Sequence, residues 1–276
     1  MAILGIMQGR MVPPPEGKFQ CFPRGQWDRE FALAADAGLK SIEWIYDHYG
    51  ADDNPLATDA GLEKMLSLQQ TTGVIVQSLC ADWFMESPLV SATELQLNER
   101  LDTLRWLLGR CSKAGIRHLT IPFVDASRIE NDRAAAGVAA AIRSAVPTAE
   151  QRHVEIHLET SLAPSEFAKL LALVDHPMVK VNYDSGNSSS LGYKVDEEFA
   201  AYGHRVGSIH IKDRVLGGGT VPLGQGNADF PKLIKNIAAI QYTGPLILQV
   251  ARGEAGQETE WAIQNRRTVE SWFAPH

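Results

Sequence analysis

Three ionisable residues close short apolar runs in the second half of the chain. Glu159 follows VEIHL, Asp184 follows VKVNY and His210 follows VGSI. Each run has the length and composition of a buried parallel strand. The carboxyl ends of the strands of a (β/α)8 barrel open onto one face, so these side chains would converge there. Two carboxylates and an imidazole in one place are suitable ligands for a divalent metal ion.

A fourth apolar run, GPLILQV, places Gln249 where a fourth ligand is expected. An amide supplies an oxygen donor, but it carries no charge and cannot act as a base. The oxygen-rich set with one imidazole predicts one divalent ion, Mn²⁺ or Mg²⁺, with Co²⁺ and Zn²⁺ also tolerated. The alternative is that all of these residues are ordinary polar ends of strands.

The sequence alternates short apolar runs with longer helical patterns. This alternation is typical of repeated βα units and a parallel sheet. The chain has 276 residues and no internal linker or shift in composition, so it fits one α/β domain, a (β/α)8 TIM barrel over residues 1–276. The predicted strands cover residues 3–8, 41–45, 74–79, 118–122, 153–158, 179–183, 206–211 and 245–250.

The connections carry turn and capping signals. Gly38, Gly73 and Gly115 each stand between a helical pattern and a strand, and we predict that they take the left-handed conformation that ends a helix. Ser91 and Glu94 predict a capping box ahead of a leucine-rich helix. The proline-rich segment MVPPPEGKFQCFPRGQ follows the first strand, where barrel loops form active sites. It is either a lid or a surface excursion.

The composition narrows the class of partner. The formal net charge of −7 argues against a nucleic-acid partner, because phosphate binding needs a cationic face. The opening MAILGIMQGR lacks a charged region before its apolar stretch, which argues against a signal peptide or a membrane span. Cys21, Cys80 and Cys111 show no metal-type spacing and imply no disulfide framework. We therefore expect a cytoplasmic protein that does not bind membranes.

Several motifs resemble the xylose isomerase-like superfamily, which includes tagatose- and ribulose-phosphate 3-epimerases, hydroxypyruvate isomerases and inosose dehydratases. These motifs are HLET, YDSGN, SIHIKDR and GQGNADF, together with GIMQGR and SIEW. The resemblance implies that Glu159, Asp184 and His210 hold one divalent ion, and that Gln249 stands where the family has a second glutamate. It also implies a small carbohydrate substrate and a homodimer or homotetramer.

Further site residues follow from these motifs. The resemblance makes Glu159 the expected catalytic base as well as a ligand. Lys212 shares one side of its strand with His210, so it could steer a phosphate or polarise a carbonyl during catalysis. Asn187 resembles a family position that touches the substrate, and its alternative role is that of a turn residue.

Substrate contacts are also expected at other strand ends. Arg214 and Arg252 are candidate anion clamps, because guanidinium groups bind phosphate or carboxylate in a bidentate manner. Solvation at the surface is their alternative role. Gln8, Arg10 and Glu43 lie at the ends of the first two predicted strands and face the proposed mouth. We expect Glu43 to contact the substrate or Arg10.

The resemblance implies a reaction in which a metal polarises a carbonyl and a base removes the neighbouring proton, giving an enediolate. We therefore expect a metal-dependent isomerase or epimerase of a sugar or sugar phosphate. Because the amide at Gln249 cannot act as a second base, isomerisation with a single base is the reaction most compatible with this sequence. Epimerisation needs a substitute acid, and Lys212 and Glu254 are nearest in sequence. The alternatives are dehydration of a keto-sugar or an inosose, and a sugar-binding protein without catalysis.

Overall fold

The computed structural model describes residues 3–15 and 17–274, and a closed barrel of eight parallel strands forms its centre. Each barrel strand pairs with the next one along the chain, and the last strand closes the ring against the first. The predicted TIM barrel is confirmed, and each predicted strand overlaps an observed one. The strands are β1 (Leu4–Met7), β2 (Ser41–Ile45), β3 (Ile75–Cys80), β4 (His118–Phe123), β5 (Glu155–Thr160), β6 (Val179–Asp184), β7 (Val206–Ile211), β8 (Asp213–Arg214), β9 (Thr220–Val221) and β10 (Leu246–Leu248).

Helices connect the strands and bury one apolar face each. In the longest leucine-rich helix, Leu101, Leu104 and Leu108 are buried at intervals of three and four residues, which is the spacing of one helical face. The helices are α1 (Arg29–Asp36), α2 (Asp59–Thr72), α3 (Trp83–Glu86), α4 (Glu94–Ala114), α5 (Asp132–Arg152), α6 (Pro164–Val174), α7 (Ser185–Leu191), α8 (Val195–Tyr202), α9 (Phe230–Ala239) and α10 (Glu258–Ser271).

The pairing register brings polar strand ends to one level of the barrel. Asp184 on β6 is the direct partner of His210 on β7. Gln249 directly follows β10, and its backbone N–H donates to the carbonyl of Ile211 at 3.0 Å. Three neighbouring strands therefore deliver polar side chains to the same end of the barrel.

Glycines end the connections before β2, β3 and β4. Gly38, Gly73 and Gly115 have φ angles of +73°, +70° and +78°. These left-handed values are unfavourable for residues with a Cβ atom. The predicted conformation of all three glycines is confirmed.

The predicted capping box at Ser91 and Glu94 is wrong by two residues. Thr93 is the N-cap of α4, and Gln96 completes the box. The segment SATELQ contains two overlapping capping patterns, so spacing alone cannot select between them. The backbone decides, because Ser91 has a φ of +54°, whereas Thr93 has the extended conformation that an N-cap requires.

One buried aspartate organises the glycine-rich segment that follows β7. Asp213 accepts hydrogen bonds from the backbone N–H groups of Gly224 at 2.8 Å, Gly226 at 2.9 Å and Ala228 at 3.0 Å. Within this segment β8 and β9 form an antiparallel hairpin. The hairpin carries Arg214 to the carboxyl end of the barrel.

The cysteines are buried thiols. Cys21, Cys80 and Cys111 form no disulfide in the part of the chain that the structure describes. Burial raises the pKa of each thiol, which disfavours the reactive thiolate. None of the helices within residues 3–15 and 17–274 has both the length and the apolar composition to cross a membrane.

The cap assignment predicts different effects for two nearby hydroxyl residues. Thr93→Ala should lower the free energy of unfolding by about 1 kcal/mol, because α4 loses its N-cap oxygen. Ser91→Ala is the matched control and should change it by less than about 0.5 kcal/mol. Urea denaturation followed by circular dichroism measures both values. A larger loss in Ser91→Ala than in Thr93→Ala would contradict the assignment.

Candidate metal centre and cavity

Glu159, Asp184 and His210 form a cluster at the carboxyl end of the barrel. Each offers one potential ligand atom, and these atoms all lie within 4.8 Å of one another. The residues are buried, with exposed fractions of 5%, 5% and 0%. They converge because the consecutive strands β5, β6 and β7 carry them at the same end.

Glu43 sets the orientation of the His210 ring. His210 Nε2 lies 2.6 Å from Glu43 Oε1, and both side chains are fully buried. His210 Nδ1 consequently faces the other two acids, at 3.4 Å from Glu159 Oε2 and 4.0 Å from Asp184 Oδ2. Burial opposes protonation of the ring, but the negative charges of Glu43 and Glu159 prevail and raise the pKa of His210 to about 10.

This arrangement fits a divalent ion. A metal-binding histidine commonly coordinates through one nitrogen while a carboxylate or carbonyl holds the other. In His210 the Glu43 contact occupies Nε2 and leaves Nδ1 facing the cluster. Carboxylates from Glu159 and Asp184 complete a donor set that suits Mn²⁺, Mg²⁺ or Zn²⁺.

Two asparagines hold the carboxylate of Glu159. Asn182 Nδ2 donates to Oε2 at 2.9 Å, and Asn187 Nδ2 donates to Oε1 at 2.6 Å. Asn187 Oδ1 in turn accepts from Arg214 at 2.9 Å. Asn187 belongs to α7, and Asp184 caps that helix by accepting from two of its backbone N–H groups. Because α7 begins directly after β6, its first turn fixes the positions of Asp184, a candidate metal ligand, and of Asn187, which holds Glu159.

Lys212 lies between Asp184 and Gln249. Its Nζ donates to Asp184 Oδ2 at 2.8 Å and to Gln249 Oε1 at 2.9 Å. Burial alone would raise the pKa of Asp184, but the charges of Lys212 and His210 lower it below its ordinary value. An ammonium group therefore engages the amide oxygen that we expected to be the fourth ligand.

A cavity of about 470 Å³ opens beside this cluster. Its volume is within the range of small-molecule binding sites. Five of the predicted site residues line it, namely Glu159, Asn187, Lys212, Arg214 and Gln249. The structure therefore brings the candidate base, the lysine and one candidate anion clamp to a single space.

Gln8 and Glu43 do not line this cavity. Both are fully buried inside the barrel. Gln8 Oε1 accepts from the backbone N–H of Ile45 at 2.9 Å. Glu43 contacts His210, whereas we expected it to contact the substrate or Arg10. Gln8 directly follows β1 and Glu43 lies on β2, and each is buried with its partner inside the barrel.

Arg10 and Arg252 also lie outside the cavity lining. Arg10 Nε donates to the carbonyl of Val250 at 3.1 Å, and burial lowers the pKa of Arg10 to about 9. Arg252 donates to the carbonyls of Gly9 at 2.8 Å and Phe19 at 2.9 Å. Both guanidinium groups therefore fasten backbone segments, and the expected role of Arg252 as an anion clamp finds no support in its position.

Gln20 and Asp82 are among the cavity-wall residues that the sequence-based prediction did not include. Gln20, in the first connection, donates from Nε2 to Asp82 Oδ2 at 2.9 Å. Its Oε1 accepts from Gln249 Nε2 at 3.0 Å. Asp82 closes the apolar run that forms β3, so the strand-end pattern that identifies Asp184 could also have identified it. Gln20 lies in an irregular loop, where no comparable signal exists.

Comparisons with known proteins agree with this architecture. A family model described as a xylose isomerase-like TIM barrel matches residues 31–271. The chain is 25% identical over 243 residues to the L-ribulose-5-phosphate 3-epimerase UlaE of Salmonella heidelberg (strain SL476), a match covering 84% of each chain.

Solved structures share the fold. An L-ribulose 3-epimerase matches with a TM-score of 0.79 at 16% identity, over 99% of this chain and 94% of that chain. The IOLI protein with a bound zinc atom matches with a TM-score of 0.76 at 18% identity, over 98% and 97%. At these identities the likeness shows a common fold.

The orienting role of Glu43 predicts its effect on metal binding. Glu43→Gln should weaken Mn²⁺ binding about 10- to 100-fold, because an amide holds the His210 ring less firmly and removes a nearby negative charge. Glu30→Gln is a matched control, since Glu30 is equally buried but accepts from the backbone N–H groups of Gly9 and Met11. Calorimetric titration with Mn²⁺ measures both affinities. Wild-type affinity in Glu43→Gln would contradict the orienting role.

Proposed function

Because the chain belongs to the xylose isomerase-like TIM barrel family, we propose that it is a divalent metal-dependent isomerase or epimerase of a ketose or ketose phosphate that acts through an enediolate. The observation that carries this proposal is the position of Glu159, whose carboxylate belongs to the candidate metal cluster and also lines the cavity. The resemblance to the family is confirmed. The L-ribulose-5-phosphate 3-epimerase among the sequence relatives also confirms the predicted enzyme class.

Glu159, Asp184 and His210 would hold the ion, and Gln249 could add an oxygen if Lys212 released it. A bound divalent ion would polarise the carbonyl and an adjacent hydroxyl of the substrate. The oxygen-rich donor set favours Mn²⁺ or Mg²⁺, and the zinc-containing IOLI structure supports Zn²⁺ as an alternative.

Glu159 is the proposed base. Asn182 and Asn187 hold its two carboxylate oxygens, so the group is oriented before the substrate arrives. It takes the proton from the carbon beside the carbonyl. The ammonium group of Lys212, also on the cavity wall, stabilises the negative charge that develops on the enediolate oxygen.

Cationic groups on the cavity wall support a phosphorylated substrate. Arg214 lines the cavity, where it donates to Asn187 and to the carbonyl of Gly218 at 2.8 Å. Lys18 also lines it and packs over the ring of Tyr49 at 4.9 Å. Such groups bind phosphate well. A ketose phosphate is also the substrate named for the UlaE relative.

Gln249 favours a second candidate, a one-base aldose–ketose isomerase. A 1,2-isomerase moves a proton along one face of a cis-enediol, so a single base is sufficient. A 3-epimerase must remove a proton from one face and return one to the other, and the amide of Gln249 cannot serve in that role. The two reactions exchange hydrogen at different carbons.

Solvent exchange tests the proposed base. We expect Mn²⁺-loaded enzyme in deuterated water to introduce deuterium into L-ribulose 5-phosphate, at C3 for epimerisation or at C1 for isomerisation, and a chelator should stop the exchange. Glu159→Gln should slow exchange by about 10²- to 10⁴-fold in L-ribulose 5-phosphate or in its C3 epimer, whichever presents its hydrogen to Glu159, since an amide cannot accept the proton. NMR measures the rates.

Glu155→Gln is the control for this experiment, because Glu155 begins the same strand at the opposite end. It should exchange hydrogen at the wild-type rate. Wild-type exchange of both L-ribulose 5-phosphate and its C3 epimer in Glu159→Gln would assign the base elsewhere. If the wild-type enzyme exchanged hydrogen in neither L-ribulose nor its 5-phosphate, the proposed reaction would be wrong for these substrates.

Gln249→Glu tests whether the residue at the end of β10 contributes to the metal site. A further carboxylate beside the cluster should tighten Mn²⁺ binding by about tenfold, because affinity rises with the number of charged ligands. Gln264→Glu adds the same charge on an exposed position of α10 and should leave the affinity unchanged. Parallel Mn²⁺ titrations of the two variants and the wild type measure the difference. Equal affinities would exclude Gln249 from the metal site.

A further inference from the structure

A line of hydrogen bonds leads from Gln249 to a carboxylate. Gln249 Nε2 donates to Gln20 Oε1 at 3.0 Å, and Gln20 Nε2 donates to Asp82 Oδ2 at 2.9 Å. Gln20 therefore joins the amide at the end of the barrel to an acid that follows another strand. All of these side chains line the cavity that contains Glu159.

Asp82 and Glu159 enter the cavity from separate parts of its wall. Asp82 follows β3, Glu159 lies on β5, and β4 stands between these strands in the ring. Pro122 and Val124, at the end of β4, also line the cavity. A substrate in this space would therefore meet the two carboxyl groups from different directions.

The surroundings of Asp82 suit proton transfer. Cys80 Sγ donates to Oδ1 at 3.1 Å and Gln20 donates to Oδ2, so two neutral donors orient the group. Burial raises the pKa of Asp82 to about 6, although the hydrogen bonds from Gln20 and Cys80 act in the opposite direction; the charges of Asp47 and Glu159 raise it further. A carboxyl group of this kind can both give and take a proton near neutral pH.

Other candidate acids are less well placed. Lys212 donates to two members of the site, and Glu254 is exposed and lies outside the cavity lining. Asp47 lines the cavity, but its oxygens accept from two backbone N–H groups at 2.8 and 2.7 Å. Asp82, in contrast, lines the cavity and is linked to Gln249 by hydrogen bonds through Gln20.

We propose that Asp82 is the second proton-transfer residue of this enzyme and acts on the face of the substrate opposite Glu159. The inference rests on the proposed function, with C3 epimerisation as its reaction. Glu159 takes the proton from the carbon beside the carbonyl, and the electron pair of the broken C–H bond enters the enediolate. The carboxylic acid of Asp82 then donates its proton to the other face of that carbon and becomes a carboxylate. Proton exchange with water restores both residues, so no further reactant is required.

Asp82→Asn separates the two half-reactions. The variant keeps the size of the side chain but cannot supply the proton. L-Ribulose 5-phosphate and its C3 epimer are incubated separately in deuterated water with Mn²⁺-loaded enzyme, and NMR follows C3 exchange and epimer formation. Epimer formation should fall at least about 100-fold. The epimer whose C3 hydrogen faces Glu159 should still exchange within about tenfold of the wild-type rate, whereas the other epimer should not exchange.

Two further variants sharpen the test. Glu159→Gln should give the mirror pattern, with exchange confined to the other epimer. Asp102→Asn changes an exposed acid on α4, outside the cavity lining, and should retain both exchange reactions and epimer formation. Thermal melting and Mn²⁺ titration show that each variant is folded and competent to bind metal.

The outcomes distinguish the role of Asp82 from the proposed function. Near wild-type epimerisation in Asp82→Asn would overturn the role of Asp82 alone. Loss of exchange from both epimers, in a folded variant with wild-type Mn²⁺ affinity, would also overturn it, because Glu159 should still act. An absence of C3 exchange in the wild-type enzyme would overturn the proposed epimerisation and the role of Asp82 with it.

Discussion

The buried hydrogen bond between His210 and Glu43 determines the geometry on which the rest of the site depends. It joins β7 to β2 across the barrel interior, and both side chains are inaccessible to solvent. A buried carboxylate without a partner would be strongly unfavourable, so the imidazole presents Nε2 to Glu43. Nδ1 then faces Glu159 and Asp184. A residue that does not line the cavity thus decides which nitrogen is available to a metal.

Charge balance accounts for the pairing of Lys212 with Gln249. The barrel interior already holds three buried carboxylates around one histidine, those of Glu43, Glu159 and Asp184. A glutamate at the end of β10 would add a fourth, and like charges repel strongly where water is excluded. The ammonium group instead bridges one carboxylate and a neutral amide. Such a site would retain a divalent ion less tightly than one with a further carboxylate.

The strand ends are the most predictable part of the molecule, because a buried strand requires a mainly apolar run and an acid or a histidine at the end of that run marks the mouth of the barrel. Asp184 and His210 follow from this rule, and Asp82 obeys it as well. Contacts across the barrel are less predictable, since they depend on which inward-facing side chains meet after closure. The partner of Glu43 is one example. Gln20 is another, because only tertiary contacts fix the path of its loop.

The segment between β1 and α1 contributes to the site by holding Gln20 beside Asp82. Arg10 and Arg252 both donate to the carbonyl of Phe19, at 3.3 and 2.9 Å, and fasten this segment as a wall of the cavity. Gln20 is thereby held between Gln249 and Asp82. All strands of the barrel open onto one face, so an acid that follows β3 can reach the same cavity as Glu159 on β5. A neutral residue at one strand end therefore does not by itself remove two-sided proton transfer from this fold.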